Sequence, residues 1–489
     1  MPLVRYTSLP RRLNLVIAFF WAVLSAVAAH ASPSIPWTPS LAARHDLEML
    51  ADEAGLDLPV TQWPLPRAAV ARALAALASE LPVPLESARA RVQAELLGAQ
   101  GGELSLSLRG RDEAVTAFGD EGTPGSWLGI RSASFEDGPF AAQLGARLDQ
   151  GTVPGQIHTK ARLDDSAVAT EIFGSQLQAF AHRSWWGPGW QSSLLLGNNA
   201  PSLAGVGLQR AQGGRSQSPW LSWMGPWTYD VFVAGNEDSL GSYFVGTRIT
   251  LRPLPQLEIA LSRTAQWGGH GHSQSFDSFV RMFVGLGLNG NSTQEVADDP
   301  ANEMAGYDVR WRCSPGARCA VYAQFIGEDY TRNLPGRFLG LYGAETWSAD
   351  GSQRWFAEFA ETICGAVMEH HPVRPCAYRN HAYPEGYATA GRWIGSPFGS
   401  DARVLTLGWL NVDSGTSMRL HSGRIGSRMG VFDDELSQRY SGKLLGLNAR
   451  QSWRWGRATL SGELDWFQVN APLGREREAR AGITMHLPL

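Results

Sequence analysis

The sequence predicts an all-β fold: a transmembrane antiparallel β-barrel of about 18 strands, with a small N-terminal α-helical bundle closing its periplasmic side. Three observations predict it. From residue 103 onward, apolar residues alternate with polar ones, and short connections alternate with long ones. The composition includes 54 Gly and 19 Trp, which suit the turns and the membrane interfaces of such a barrel.

The composition also excludes several classes of protein. The formal net charge is -4, and Lys160 and Lys443 are the only lysines among 42 basic residues, so we expect no nucleic-acid partner. After residue 31, no apolar run reaches the length of about 18 residues that a membrane-spanning helix needs. A bundle of membrane helices is therefore not expected.

Residues 1–31 have the pattern of a secretory signal peptide. Arg5, Arg11 and Arg12 precede an apolar stretch, which ends in the small-residue cleavage pattern Ala29-His30-Ala31. A transmembrane anchor is the alternative interpretation. We expect export, with insertion in the outer membrane of a Gram-negative bacterium and loops at the cell surface.

Residues 32–102 predict three short helices. The first begins after Thr38, the second begins at Pro66, and the third begins at Pro84 and ends at Gly98. Their apolar stripes are narrow and alanine-rich, so we expect them to pack on something larger. A periplasmic plug in the barrel is the predicted arrangement.

Residues 103–489 predict the barrel itself. These 387 residues hold about 16 to 18 strands, at roughly 20 to 24 residues per strand with its share of connections. In the clearest hairpin, Arg248, Arg252 and Glu258 occupy the face opposite the apolar residues. The longer polar connections are expected at 236–242, 268–303, 328–337 and 364–385. A β-sandwich has no reason to keep short and long connections in alternation, although a β-propeller imitates part of the pattern.

The four cysteines form two local groups in the exported part of the chain. Three pairings are formally possible, and we favour Cys313 with Cys319 and Cys364 with Cys376. A zinc site made of the four thiols is the alternative, but neither group has the usual spacing.

Several blocks of the chain resemble the Wzi family of capsule-assembly outer-membrane proteins. The most specific are the tryptophan block 182–190 (HRSWWGPGW) and the block 263–269 (RTAQWGG). The others are 44–47 (RHDL), 63–65 (WPL), 193–201 (SLLLGNNAP), 209–210 (QR), 306–311 (GYDVRW), 322–324 (YAQ), 327–329 (GED) and 383–387 (YPEGY). The cysteine pairs and the terminal Leu489 have no counterpart in this pattern.

The resemblance implies an 18-stranded outer-membrane barrel that is closed by a helical bundle. It also implies a lectin that retains capsular or extracellular polysaccharide at the cell surface, without catalysis. Partners would be that polysaccharide, outer-membrane lipid and the polysaccharide export machinery.

Sugar binding needs aromatic rings, amides and charged groups, and the tryptophan region supplies them. An interface belt or internal packing is the alternative for the tryptophans. The candidate glycan-binding residues of this region and of the block 263–269 are Trp185, Trp186, Trp190, Asn198, Asn199, Arg210, Arg263 and Trp267.

Two acidic pairs lie where strands are expected to reach the outer surface. They are Glu237 with Asp238 and Glu328 with Asp329. Such carboxylates accept sugar hydroxyls, bind a divalent cation or pair with lumenal arginines, among which we count Arg248, Arg263 and Arg310.

The histidines at 270, 272, 370 and 371 lack the spacing of a metal or catalytic site, and we interpret them as solvated loop residues. We therefore expect no catalytic residue, metal or cofactor. A porin or sugar-selective channel is the alternative function, and an outer-membrane hydrolase ranks last. The glycan structure, its affinity and the oligomeric state do not follow from the sequence.

Overall fold

The structure is a computed structural model that describes residues 33–110, 115–120, 125–153, 156–216, 218–284, 301–314, 316–331, 334–367, 369, 371–431, 441–472 and 474–489. The predicted signal peptide, residues 1–31, lies outside these ranges. Among the helices in the described ranges, none combines the length and the apolar character that crossing a bilayer requires.

One closed antiparallel sheet dominates the described residues. It consists of 21 hydrogen-bonded segments. In three places, two consecutive segments form one strand that is interrupted by a short break, so the sheet has eighteen strands. The strands are β1 Glu103–Arg109, β2 Ser126–Arg131 with Phe135–Asp137, β3 Phe140–Gln143 with Gly145–Val153, β4 Gln156–Arg162 with Ser166–Ile172, β5 Ser175–His182, β6 Leu203–Arg210, β7 Trp227–Gly235, β8 Tyr243–Leu254, β9 Leu257–Trp267, β10 Ala301–Arg312, β11 Cys319–Thr331, β12 Leu334–Trp347, β13 Gln353–Glu361, β14 Arg403–Asn411, β15 Thr416–Ile425, β16 Gly442–Trp455, β17 Ala458–Ala471 and β18 Gly474–Pro488.

Each strand pairs with its neighbours in the sequence, and β18 pairs with β1 to close the barrel. The terminal strand of the chain therefore completes the cylinder, although it ends in Leu489 rather than in an aromatic residue. The predicted barrel of about 18 strands is confirmed.

The two faces of the wall differ as the period of two predicts. In β14, Leu405 and Leu407 point outward and are 42% and 48% exposed, whereas Val404 and Thr406 point into the lumen and are 0% and 1% exposed. Outward apolar residues and a polar lumen are typical of a barrel that spans a membrane, because lipid replaces water only on the outer face.

The connections divide between two ends of the barrel. The turn end carries short links such as 255–256, 348–352 and 456–457. The loop end carries the long links 183–202 and 362–402. The expected polar link 328–337 is wrong, because β11 continues to Thr331 and β12 begins at Leu334, so the strands extend past the place where the sequence loses its apolar alternation.

Outward-facing tryptophans gather near the turn end. Trp311, Trp355 and Trp453 are 41 to 46% exposed, and Trp455 is 71% exposed. Tryptophan is favoured where apolar chains meet polar headgroups, so these residues mark one membrane interface of the barrel.

The first three helices lie at the turn end. They are α1 Leu41–Glu53, α2 Arg67–Ala75 and α3 Val83–Gly98. The expected N-cap Thr38 is wrong: Ser40 caps α1, because its Oγ accepts a hydrogen bond from the Ala43 backbone N–H at 3.2 Å. A fourth helix, α4 Phe276–Val284, follows β9.

Both predicted disulfides are present. Cys313 pairs with Cys319 in the turn that joins β10 to β11, and Cys364 pairs with Cys376 in the link 362–402. The alternative zinc site is wrong, because all four sulfurs are in disulfides.

Long links from the loop end fold back into the lumen. The links 183–202 and 362–402 contribute Trp186, Leu195 and Trp393 to an apolar core that also contains lumenal residues of the wall. A second core joins the helices to Trp185 and Trp347. The barrel therefore encloses packed protein at both ends.

Candidate functional site

Helix α1 carries a charged stripe that is buried in the lumen. Arg44, Glu48 and Asp52 are spaced by four residues, which places them on one side of the helix. Their side chains are fully shielded from solvent or nearly so. Such charges need partners, and the barrel wall supplies them.

Two arginines of the wall bind this stripe. Arg354 donates from Nη1 to Glu48 Oε2 at 2.7 Å, and Arg310 binds both carboxylate oxygens of Asp52, at 3.0 and 2.7 Å. Glu345 on β12 accepts from both arginines. Because all five side chains are buried, losing one partner would leave an uncompensated charge.

His45 lies beside this network and is held neutral. Its Nδ1 accepts from Arg354 Nε at 2.9 Å, so the proton is on Nε2, which donates to the Gly351 carbonyl at 2.9 Å. Burial, together with the charge of Arg354, lowers the pKa of His45 to about 3. The contact with Gly351 ties α1 to the turn between β12 and β13.

The segment that follows α1 is fixed in the same way. Glu258 on β9 accepts hydrogen bonds from the backbone N–H groups of Val60 and Thr61, at 3.0 and 2.8 Å. Arg248 pairs with Asp308 and also donates to the Thr61 carbonyl at 3.1 Å. The lumenal positions of Arg248 and Arg310 agree with the expectation from the sequence.

The predicted tryptophans are buried. Trp190 donates from Nε1 to Glu345 Oε2 at 2.6 Å, and the guanidinium of Arg44 lies 4.2 Å from its ring centroid. Trp185 and Trp186 pair as a short strand with Gln62–Trp63, inside the lumen. All three are at most 2% exposed. Their burial favours packing, the alternative interpretation, and a direct contact with glycan stays a prediction.

The two asparagines that follow hold the inner loops together. Asn199 Nδ2 donates to the carbonyls of Trp393 and Gly430, at 2.8 and 2.9 Å. Asn198 is 6% exposed and lines a lumenal cavity. Arg210, at the turn end of β6, donates to the carbonyls of Gly214 and Trp227. Asn198 and Asn199 thus lie inside the lumen, whereas Arg210 is half-buried on the outward face of β6, on the same side as Leu208.

Glu237 is the candidate that lies at the exposed rim of the loop end. It forms ion pairs with Lys160 and Arg162, and the side chains of Glu237 and Lys160 are 35% and 50% exposed. Burial opposes its ionisation, but hydrogen bonds from Lys160 and Arg162 outweigh burial and lower the pKa of Glu237. Asp238 instead caps its own turn, accepting from Ser242 N at 2.9 Å.

Loops from three parts of the chain meet at this rim. Ser239 N donates to Glu385 Oε1 at 2.7 Å, and His270 N donates to the Leu240 carbonyl at 2.8 Å. His272 stacks on Tyr383 with ring centroids 4.6 Å apart. We call the loops 236–242, 268–275 and 371–393 the loop junction.

The second acidic pair is not part of this surface. Glu328 is 5% exposed and accepts from the Tyr378 backbone N–H at 2.8 Å. The side chain of Asp329 lies outside the described residues, as does His370. His272 is half-buried rather than solvated, because its ring packs on Tyr383 and its Nε2 meets the Ala382 carbonyl at 3.0 Å.

The expected lumenal position of Arg263 is wrong. The period of two in β9 places Arg263 on the same face as Leu261, which is 56% exposed on the outside of the barrel. Arg263 Nε pairs with Glu303 Oε2 at 2.8 Å, and Trp267 also faces outward, donating from Nε1 to Ser278 Oγ of α4 at 3.2 Å.

Two cavities remain between the helices and one side of the wall. Their volumes are about 890 and 790 Å³, and both are lined by Glu95 and His486. Arg109 and Arg450 line the larger one, and Asp46 and Asn198 line the smaller one. In the described part of the chain, no group of three or more His, Cys, Asp or Glu residues has an arrangement that would hold a metal ion.

Sequence reasoning missed the residues that fix α1 in the lumen. Arg44, Glu48 and Asp52 had a usable signal, because a charged stripe at a spacing of four residues within a helix predicted to be buried demands charged partners. Arg354 and Glu345 had no such signal, since they look like any other charged position of a barrel strand.

Comparison with known proteins gives one family and two informative relatives. The model of the family described as capsule assembly protein Wzi matches residues 102–479. A Klebsiella pneumoniae protein, named as an uncharacterized 55.8 kDa protein in the cps region, is 29% identical over 337 residues. That match covers 65% of this chain, and the chain spans 64% of the length of that relative.

A solved structure shares the fold. It is Wzi of Escherichia coli, described as an outer membrane protein involved in group 1 capsule assembly and as a carbohydrate-binding β-barrel. The likeness covers 94% of this chain and 99% of that one, with a TM-score of 0.78 and 21% sequence identity. The barrel and the helical segment are thus similar in both.

Replacing Asp52 by Asn tests the buried network. We expect Asp52→Asn to lower the free energy of unfolding by about 3 to 5 kcal/mol, because Arg310 and Arg252 lose a buried charged partner. Denaturant unfolding in detergent measures this. The matched control is Asp57→Asn, which breaks an exposed pair with Arg215 and should cost less than about 1 kcal/mol. Equal effects of the two variants would contradict the network's role.

The buried His45 gives the stability a dependence on pH. Its pKa in the folded chain, about 3, lies below the 6.5 of an unperturbed histidine, so its contribution to stability is complete above pH 6.5 and is lost as the pH falls toward 3. The free energy of unfolding should fall by about 1 kcal/mol per pH unit in that window through this group. Measuring the free energy of unfolding of the wild type and of His45→Asn at pH 7, 5 and 4 isolates the effect of His45. If both proteins lose stability equally as the pH falls, the proposed role of His45 is contradicted.

Proposed function

Because the chain belongs to the capsule assembly protein Wzi family, we propose that it is an outer-membrane lectin that retains capsular or extracellular polysaccharide at the cell surface. The barrel anchors the protein in the membrane, and the loops at the outer end hold the glycan. The protein acts by binding, without a catalytic step. Its partners are the polysaccharide, outer-membrane lipid and the export machinery.

The closed lumen is the observation that carries this proposal. Helix α1 is bonded to the wall at the turn end through buried ion pairs, and the links 183–202 and 362–402 fill the lumen at the loop end. A protein that transports sugar needs a path through this space. A filled lumen favours display of the outer loops over transport.

The orientation follows from the lengths of the connections. Outer-membrane barrels turn tightly on the periplasmic side and carry their long loops outside. The turn end, with helices α1 to α3, therefore faces the periplasm in this proposal. The loop end, with the loop junction, faces the capsule.

The loop junction offers the polar chemistry that a polysaccharide requires. Glu237 of the loop junction presents an exposed carboxylate, and its ion-pair partner Lys160 on β4 presents an exposed ammonium group. Together they hydrogen-bond to hydroxyls or acidic groups of a sugar. Trp185, Trp186 and Trp190 are buried and hold the inner loop in place, and their direct contact with glycan stays a prediction.

Removing the exposed pair should weaken glycan binding. We expect the double variant Lys160→Ala, Glu237→Ala to bind purified polysaccharide from the source bacterium at least roughly tenfold more weakly, since one charged hydrogen bond contributes about 1.5 to 3 kcal/mol. Titration of the polymer onto the detergent-solubilised protein measures the affinity.

The matched control for this variant removes an exposed ion pair at the other end. Arg215→Ala with Asp57→Ala leaves the loop junction intact and should leave the affinity unchanged. Unchanged binding by the loop-end variant, or a loss in the turn-end variant, would contradict the proposed location of the site.

A conductance measurement separates the lectin from a channel. We expect the intact mature chain to give no steady ion current in a planar bilayer, because packed protein fills both ends of the lumen. A general porin inserted in the same bilayer is the positive control. Large, steady currents from the intact chain would favour the porin alternative.

A further inference from the structure

Helix α4 lies on the outside of the barrel, near the loop end. It follows β9, which runs from the turn end to Trp267. Met282 is 2% exposed and packs in a cluster with the outward residues Val245 and Ala265. Phe279 packs edge to face on Trp267, with ring centroids 5.3 Å apart.

The wall beneath α4 carries a charged pair that lipid does not tolerate. Arg263 and Glu303 both face outward, and the side chains are 25% and 1% exposed. Arg263 also donates to the carbonyls of Met282 and Phe283, at the C-terminal end of the helix. Helix α4 therefore shields a polar spot in an otherwise apolar outer face.

The helix has three distinct faces. At about 100° per residue, Ser278 and Met282 lie on the side that meets the wall. The exposed residues Asp277 and Arg281 lie together on a second side. The third side is apolar and packs against no other element among the described residues. Its members are Phe276, Val280 and Phe283, exposed by 82%, 38% and 45%.

We propose that helix α4 is a membrane-interface element, whose Phe276, Val280 and Phe283 contact the acyl chains of the outer leaflet while Asp277 and Arg281 face the headgroups. This inference rests on the membrane location in the proposed function. The apolar face of the helix continues the outward apolar face of the wall on which it packs. A helix with one apolar and one charged exposed face is the form that lies in a membrane interface.

Lipid explains the three faces better than a second copy of the chain does. A dimer contact through this helix would bury only a few side chains, far less than a stable protein interface requires. The polar residues also lie on one side only, which suits a boundary between apolar chains and water. In a dimer interface, such a separation of apolar and polar side chains would not be expected.

Single-cysteine labelling tests the proposal in the full mature chain. The native cysteines are all in disulfides, so a fluorophore sensitive to polarity attaches to one introduced thiol. The reporters are Phe276→Cys and Val280→Cys on the apolar face and Asp277→Cys on the polar face. Leu407→Cys, in the middle of an outward strand face, is the control for membrane insertion.

Each labelled protein is reconstituted in phosphatidylcholine vesicles with and without acyl-chain spin labels. We expect emission at shorter wavelength and strong quenching at 276, 280 and 407, and neither at 277. If the label at 407 is quenched but the labels at 276 and 280 behave like the label at 277, the proposed role of α4 is overturned, whereas the membrane location of the barrel stands. Short-wavelength emission at 276 and 280 without quenching indicates a protein partner, which also overturns it. No quenching at 407 overturns the membrane location itself.

Discussion

The buried ion pairs between α1 and the barrel wall are the constraint on which the rest of the structure depends. Ten of the thirteen residues of α1 are buried, and they include charged residues on more than one side. An apolar core does not accept such a helix. The lumen of this barrel does, because its strands place Arg310, Arg354 and Glu345 where the helix needs charged partners. The polar lining of the lumen and the polar side chains of α1 therefore supply each other with charged partners.

This arrangement is one-sided. The wall from β8 to β13 holds α1 and the following segment. The larger cavity, of about 890 Å³, lies against β1 and β14 to β18, and the smaller one, of about 790 Å³, lies against β1 to β5 and β16 to β18. Helix α1 is therefore fixed by charge along one wall, whereas α2 is tied to the other side through the ion pair of Arg67 with Glu136 on β2. The buried ion pairs therefore hold α1 inside the turn end of the barrel.

The sequence predicts the cylinder well and its contents poorly. The strands, their number and the local cysteine pairs follow from a period of two and from short spacings, which are properties of neighbouring residues. The contact of Arg354 with Glu48 joins residues 306 positions apart, and nothing in either segment points to the other. Arg263 is a second residue that the sequence pattern places poorly. The strand period puts it on the outer face of the wall, but the outer face of a membrane barrel is expected to be apolar. The packing of α4 over Arg263 explains how this charge is accommodated on the outer face.

The tryptophans show why composition alone does not locate a binding site in such a barrel. One group, including Trp311 and Trp355, faces outward near the turn end, where a polar and an apolar phase meet. Another, Trp185, Trp186 and Trp190, is buried against the helices and the wall. The first group therefore has a role at the membrane interface and the second has a role in internal packing, and neither role involves a ligand. In the proposed function, the side chains assigned to glycan are instead the exposed charges of Glu237 and Lys160 at the rim of the loop end.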